Sequence, residues 1–373
     1  MDSKSMNPKF LAFPLLFVAS ALYVGWRIYR LLPFPVWGKV LGVVLYASLF
    51  TTMFLTFRLD SLPMWASRLL YMLGNTWMVF FLYLLLSFVA LDLLRLCRVI
   101  PGSCLRDSVA LSVGLYVFLT AIMVLGHVHY LHKYRQEVSL TTSKSLGEGV
   151  RERTFVLVSD LHLGYHNTER DLRKWVSLIS AEKPDALLVA GDIIDRSPRP
   201  VFEEDMASVM RQLSCPVYAV PGNHEYYCGM EAALSFMKSA GITVLRDSVA
   251  SVCGITVIGR DDRANPHRKE LSSLMQEVPG KDSSFTILLD HQPQHLEHSQ
   301  EAGIDFQFSG HTHHGQIWPG NWVTDAIYEN AFGLSRRGNT TYYVSSGLGI
   351  WGATVRIGTR SEYIVLKVSS SAQ

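Results

Sequence analysis

Aspartate, asparagine and histidine residues follow five apolar runs in the carboxyl-terminal part of the chain, each where a run ends. The first run ends in Asp160-Leu161-His162, so that an aspartate and a histidine lie two residues apart. A short apolar run bounded by polar residues is typical of a buried strand in a parallel sheet, and the carboxyl ends of such strands carry the sites of α/β proteins. The sequence therefore predicts one shared site, with the candidates Asp160, His162, Asp192, Asn223, His291, His311 and His313.

These seven residues offer oxygen and nitrogen ligands and no thiolate, a set that suits manganese, iron or zinc better than a structural cysteine-type zinc site. Seven ligands are too many for one ion but suit two ions if one carboxylate bridges them. Two ions about 3.5–4 Å apart stabilise both the attacking and the leaving oxygen of an in-line displacement at phosphorus. We therefore expect two divalent ions and phosphate-ester chemistry. Taken singly, His291 is more often a structural histidine and Asp192 a turn or N-cap residue, so the prediction depends on the whole set.

The order of these motifs resembles the calcineurin-like metallophosphoesterase family. The blocks Asp160-x-His162, Gly191-Asp192-x-x-Asp195, Gly222-Asn223-His224-Glu225, a single His291 and Gly310-His311-x-His313 occur in family order within residues 154–369. The segment that begins at Gly310, Gly-His-Thr-His-x-Gly-Gln-Ile, and the later Gly-Leu-Gly-x-x-Gly are similar to a branch of the family that includes bacterial membrane-associated phosphoesterases.

The resemblance implies a role for each candidate ligand: Asp160, His162 and His313 for the first metal, Asn223, His291 and His311 for the second, and Asp192 as the bridge. It also implies that a hydroxide held between the ions attacks phosphorus in line. The physics is consistent, because metal coordination lowers the pKa of water and both ions stabilise charge on the phosphoryl oxygens.

Three further residues receive catalytic or binding roles from the same resemblance. His224 is expected to contact the phosphate and to protonate the leaving oxygen. Asp195 is expected to orient or tune His224. Arg196 is expected either to contact phosphate or to form a salt bridge, and both alternatives stay open.

The first third of the chain is rich in apolar residues, and the whole chain is 49% hydrophobic against 18% charged. Four near-continuous apolar stretches approach the roughly 20 residues that cross a bilayer: Phe10–Trp26, Val40–Phe57, Leu69–Leu91 and Val109–Val128. We predict a membrane domain of about four helices over residues 1–133, in a multi-pass protein. A buried helical core is one alternative, and cleavage of a signal peptide at Ala19-Ser20-Ala21 is another. Lysine and arginine are equally frequent on the two sides of the predicted spans, which leaves the orientation open.

Residues 134–153 are polar and predict a linker, whereas residues 154–373 alternate between strand and helix patterns. That alternation predicts an α/β domain with two packed central sheets flanked by helices, in which Ile242–Ala250 and Val252–Arg260 form two adjacent strands. Residues 136–373 carry a formal charge of −6. Because binding to nucleic acid requires a basic surface, nucleic acid is not an expected partner. The five cysteines form no paired framework, and we expect free thiols.

The sequence thus predicts a membrane-anchored hydrolase of phosphate esters, with a phosphodiester or pyrophosphate, lipid-linked or near the membrane, as the expected substrate. One alternative is a non-catalytic metal-binding scaffold on the same fold. Another is a channel or transporter with an attached phosphatase, although the apolar stretches contain few ionisable residues. The natural substrate, the choice between monoester and diester, the metal identity, the oligomeric state and the side of the membrane stay open.

Overall fold

The computed structural model describes residues 8–278, 280 and 283–371, and the chain divides into two compact units, residues 1–125 and 126–373. The helices are α1 Pro8–Leu31, α2 Val36–Leu55, α3 Met64–Leu96, α4 Val109–Leu131, α5 Glu169–Ala181, α6 Arg199–Glu203, α7 Met206–Met210, α8 Asn223–Cys228, α9 Met230–Ser239, α10 Leu271–Gln276, α11 Leu296–Glu301 and α12 Gly320–Ile327. The strands are β1 Lys133–Thr142, β2 Glu152–Val158, β3 Ala186–Ala190, β4 Val217–Val220, β5 Ile242–Val244, β6 Ser248–Val252, β7 Ile255–Gly259, β8 Thr286–Leu289, β9 Phe306–Ser309, β10 Gly333–Arg337, β11 Thr340–Val344 and β12 Ser361–Ser370.

The first unit is helical, and α2, α3 and α4 are long and apolar enough to cross a membrane, with mean hydropathies of 1.6, 2.3 and 2.3. Large apolar side chains on their surfaces are exposed, among them Leu45 and Val117, which is expected of surfaces that face lipid rather than water. Pro35 and Pro63 directly precede α2 and α3, where a missing N–H costs no helical hydrogen bond. The first predicted span, Phe10–Trp26, lies in α1, whose first side chains are outside the described part of the chain. It stays a prediction together with the cleavage alternative.

The second unit contains two six-stranded sheets, with strand orders β1-β12-β2-β3-β4-β5 and β10-β11-β9-β8-β7-β6. Their facing surfaces form one apolar core that includes Phe155, Leu188, Ile287 and Phe308. Helices cover the outer face of the first sheet, where Trp175 of α5 packs into a second core. The predicted α/β fold with two packed sheets is confirmed. The five cysteines are free thiols, as predicted.

The strand register brings the carboxyl ends of neighbouring strands to one edge of the unit. Val158 of β2 pairs with Val189 of β3, and Ala190 of β3 pairs with Val220 of β4. In the second sheet, Leu289 of β8 pairs with Phe308 of β9. The loops that carry the candidate site residues therefore all leave the sheets at the same edge.

Two sequence-based expectations are wrong. The first half of the predicted linker is strand β1, which pairs in parallel with β12 from Lys133↔Ser361 to Thr142↔Ser370. Because β1 is an edge strand in which four of ten residues are exposed, its composition is as polar as that of a linker. The predicted strand Ile242–Ala250 is divided into β5 and β6, which belong to different sheets. In addition, α12 and β10 were not predicted.

Candidate metal centre

The seven predicted ligands lie within four residues after the ends of strands, with Asn223 as the first residue of α8, and the structure brings all seven together. Five of them have a left-handed backbone: Asp160 (φ 55°), His162 (45°), Asp192 (54°), His311 (71°) and His313 (48°). This conformation costs an L-residue roughly 1–2 kcal/mol. Strain of this kind persists only where the surroundings enforce it, and it concentrates at functional sites.

Asp160, His162 and His313 form a first buried group. The Nε2 atoms of His162 and His313 are 3.1 Å apart, and Oδ1 of Asp160 lies 3.3 Å from Nε2 of His313 and 3.9 Å from Nε2 of His162. Ligand atoms about 2.1 Å from one tetrahedral ion would be about 3.4 Å apart. The three side chains therefore fit a single divalent ion.

A second group surrounds Asp192. Its Oδ2 atom lies 3.1 Å from Nε2 of His291, which is 3.2 Å from Oδ1 of Asn223. The same amide oxygen is 2.8 Å from Nδ1 of His311. Because Oδ2 of Asp192 is also 3.7 Å from Nε2 of His162, this carboxylate lies between the two groups, as a bridging ligand must.

The electrostatics of the site favour metal binding by His311, His313 and Asp192, whereas burial raises the pKa of Asp160. Burial and the charge of His291 lower the pKa of His311 to about 4, and burial also holds the pKa of His313 well below its usual value. Burial would raise the pKa of Asp192, but the neighbouring histidines hold it low. Burial would lower the pKa of His291, but the charge of Asp192 raises it well above the usual value. A cation bound between these two residues would replace that proton.

Glu225, the last residue of the Gly-Asn-His-Glu motif, holds two of the ligand loops together. Its buried carboxylate accepts hydrogen bonds of 2.7–3.0 Å from the backbone N–H groups of Gly222, Asp192, Ile193 and Ile194. Burial, followed by the charge of Asp192, raises its pKa to about 7. The loop after β3 is thereby fixed against the loop after β4.

The predicted catalytic pair, His224 and Asp195, lies beside both groups. The backbone N–H of His224 donates to Oδ1 of Asp192 over 2.9 Å, and its Nδ1 lies 3.1 Å from the carbonyl oxygen and 3.5 Å from Oδ1 of Asp195. Oδ1 of Asp195 is also 3.2 Å from Nδ1 of His162. Burial alone would lower the pKa of His224, but Asp195 and the other nearby carboxylates raise it to about 9. Arg196 is exposed, and its contact with phosphate stays a prediction.

Two glycines are required by the close packing of these loops. A Cβ atom on Gly310 would lie 2.3 Å from Oδ2 of Asp160, and one on Gly191 would lie 2.7 Å from Nδ1 of His291. Gly191 also has a φ of 80°. A side chain at either position would displace a candidate ligand.

Two buried residues that support the site were not predicted from the sequence. The Asn167 amide donates to the carbonyl oxygens of Leu161, His162 and Ile350 over 2.9–3.1 Å. Arg356 donates to the carbonyl oxygens of His313 and Gly349 over 2.7 and 3.2 Å. The only sequence signals are an asparagine five residues after His162 and an isolated arginine in an apolar segment, and neither is specific.

Comparisons with known proteins agree with this geometry. The family model described as calcineurin-like phosphoesterase matches residues 153–315. An uncharacterized metallophosphoesterase of Bacillus subtilis is 30% identical over 271 residues, which are 68% of this chain and 92% of that protein. The transmembrane protein with metallophosphoesterase domain of Danio rerio is 29% identical over 343 residues, which are 83% of this chain and 76% of that protein.

An uncharacterized metallophosphoesterase of Helicobacter pylori is 32% identical over 222 residues, which are 58% of this chain and 60% of that protein. The chain thus matches less than two thirds of that relative's length. The family match includes every candidate ligand, and the alignment with the Bacillus protein covers nearly all of that relative. The chain therefore belongs to the calcineurin-like phosphoesterase family, and the helices that precede its family domain are apolar enough to span a membrane.

Proposed function

We propose that the protein is a membrane-anchored, multi-pass phosphoesterase with two divalent metal ions. Asp160, His162 and His313 would hold one ion, Asn223, His291 and His311 the other, and Asp192 would contact both. The observation that carries this proposal is the position of Asp192 Oδ2, 3.1 Å from Nε2 of His291 in one group and 3.7 Å from Nε2 of His162 in the other.

When bound, two divalent ions supply Lewis-acid activation of water and neutralise charge on the phosphoryl group. The protein's own residues supply orientation and proton transfer. Asp195 engages Nδ1 of His224, so Nε2 is the atom that would donate a proton to the leaving oxygen. Since Asp195 also lies against Nδ1 of His162, one buried carboxylate orients both a ligand and the acid.

A phosphodiester or pyrophosphate near or linked to the membrane is the substrate class we propose. The support is that α4 is an apolar helix of span length, and the chain continues directly from it into the unit that carries the site. The competing scaffold function has less support, because a relative that has become a non-catalytic scaffold is expected to have lost metal ligands. Here all seven candidate ligands are present and converge.

Activity and metal content together test the proposal. The full-length protein, purified in detergent and loaded with manganese, should hydrolyse bis-p-nitrophenyl phosphate, and p-nitrophenyl phosphate serves as the monoester comparison. Asp192→Asn should lower turnover by more than the roughly 10–100-fold typical of losing an outer supporting contact, whereas Glu148→Gln, at an exposed position, should match the parent. Equal rates for Asp192→Asn and the parent would refute the proposal. Less than one equivalent of metal in the parent would favour the scaffold.

A further inference from the structure

A cavity separate from the candidate metal centre lies in the second unit, between the end of α4, the start of β1 and the outward face of α5. Its volume is about 640 Å³, and its walls include Tyr130, Leu131, Lys133, Lys174, Trp175 and Leu178. None of its lining residues is a candidate metal ligand or belongs to the catalytic pair. We call it the α4–α5 cleft, and the proposed hydrolysis leaves it without a role.

The cleft presents cations in excess. Its lining contains the cationic residues Lys133, Arg173 and Lys174 but a single carboxylate, that of Asp171. Arg173 is paired with Glu169, and Nζ of Lys174 is 3.6 Å from Oδ1 of Asp171. Some positive charge in the cleft is therefore left for an anionic ligand.

Lys133 is the cation that most requires such a ligand. Its Nζ donates to the carbonyl oxygen of Tyr130 over 2.9 Å and lies 3.6 Å from the centre of the Tyr130 ring and 5.3 Å from that of Trp175. Within the described part of the chain, no carboxylate forms an ion pair with it. Burial and the charge of Arg356 hold its pKa well below the usual value. The charge of Asp171 opposes this shift only in part, and an anion in the cleft would favour the charged form of Lys133 further.

The position and the apolar walls of the cleft identify the source of the anion. Helix α4 is long and apolar enough to span a membrane and ends at Leu131, so residues 131–133 lie where such a helix leaves the hydrocarbon and enters the headgroup layer. Leu131 and Leu178 are 51% and 37% exposed. Basic pockets at the ends of spans bind lipid headgroups, and exposed leucines beside the cations suit the upper part of an acyl chain. Free phosphate would gain nothing from these apolar walls.

We propose that the α4–α5 cleft binds one anionic phospholipid, with its phosphate at Lys133 and Lys174 and its first acyl carbons against Leu131 and Leu178. The cleft would fix the carboxyl end of α4 at the membrane surface. This binding does not depend on hydrolysis, and it would hold even if the metal centre proved to be a scaffold.

Lipid binding by the full-length protein tests the proposal directly. Phosphatidylglycerol and phosphatidylcholine are titrated separately into detergent-purified protein, and the bound phospholipid is counted by native mass spectrometry. The parent should retain one phosphatidylglycerol in preference to phosphatidylcholine. The double variant Lys133→Gln/Lys174→Gln should bind phosphatidylglycerol about tenfold more weakly or worse. Arg170→Gln removes an exposed charge from the same helix but outside the cleft, and it should bind as the parent does.

Because Lys133 is partly buried, the variant Lys133→Gln/Lys174→Gln could lose binding by misfolding. A second double variant, which leaves Lys133 in place, separates these two causes. Arg173 and Lys174 are exposed on α5, so Arg173→Gln/Lys174→Gln should fold and still weaken binding. Inorganic phosphate and glycerophosphoglycerol, which lacks acyl chains, should compete poorly with phosphatidylglycerol. Equal retention of the two lipids, unchanged binding in both double variants, or full competition by inorganic phosphate would each overturn the proposal.

Discussion

Arg356, whose side chain is only 1% exposed, donates a hydrogen bond from Nη1 to the backbone carbonyl of His313 over 2.7 Å. Nη2 donates to the carbonyl oxygens of Gly349 and Ser346, and the N–H of Gly349 donates to the carbonyl of Asp160 over 3.0 Å. Burial lowers the pKa of Arg356 to about 10, so the guanidinium stays charged at neutral pH. One buried cation thus fixes the backbone of two proposed ligands of the first metal.

Arg356→Lys should weaken the first metal position selectively. A lysine has no planar fork and cannot reach several carbonyl groups at once, so the loops that carry His313 and Asp160 lose a common support. Loss of such supporting contacts typically costs 10–100-fold in metal affinity. In Arg356→Lys, the metal content after dialysis, measured by elemental analysis, should fall from two bound ions per protein towards one. The control Arg336→Lys, at an exposed position, should keep both ions. Two tightly held ions in Arg356→Lys would contradict the assignment.

Asn167 performs a similar function for the other side of the first group, and the end of α4 is attached to it. Tyr130 donates from its hydroxyl to Oδ1 of Asn167 over 2.5 Å, and the amide nitrogen of Asn167 holds the carbonyls around His162. Asn167→Asp keeps the size of the side chain but removes the donor and brings a charge next to these carbonyl oxygens.

We therefore expect Asn167→Asp to destabilise the fold by about 2 kcal/mol or more, roughly 1 kcal/mol for each of the two amide N–H groups that are lost. Thermal unfolding of the purified protein, followed by tryptophan fluorescence, measures the change as a lower midpoint. Asn339→Asp, at an exposed position, is the matched control and should unfold like the parent. A midpoint for Asn167→Asp equal to that of this control would show that the network contributes little.

The two proposed roles of histidine in the site can be separated by a pair of variants. His162→Ala removes a ligand of the first group and should leave that position empty or weakly bound, with the fold largely intact. His224→Ala should keep both metals but lower turnover by about 10²–10⁴-fold, the usual contribution of a general acid. Metal content and turnover are measured on the same preparations. A full complement of metal in His162→Ala, or loss of metal in His224→Ala, would reverse the assignment.

The sequence was sufficient to predict that the candidate residues lie close together, because the register of parallel strands brings residues such as Asp160 and Asp192 to one edge wherever their strands pair. It could not reveal Asn167 or Arg356 as supporting residues. Their partners at Ile350 and His313 depend on how the loops cross, and no local periodicity records that. Strand β1 was missed for a related reason: only its pairing with β12 distinguishes a polar edge strand from a linker.

Glu225→Gln should be the most damaging conservative change in the site. The carboxylate accepts four backbone N–H groups from two loops, and a glutamine side chain offers one acceptor oxygen and turns an NH₂ group towards the remaining donors. Leaving even two buried N–H groups unpaired costs roughly 1–3 kcal/mol each. We expect a clearly lower unfolding midpoint that persists after metal has been removed with a chelator, since the loops themselves lose their link. Glu231→Gln, on the exposed first turn of α9, should not shift the midpoint. If the Glu225→Gln defect disappeared in the chelated state, the carboxylate would act through metal binding instead of through the loop backbone.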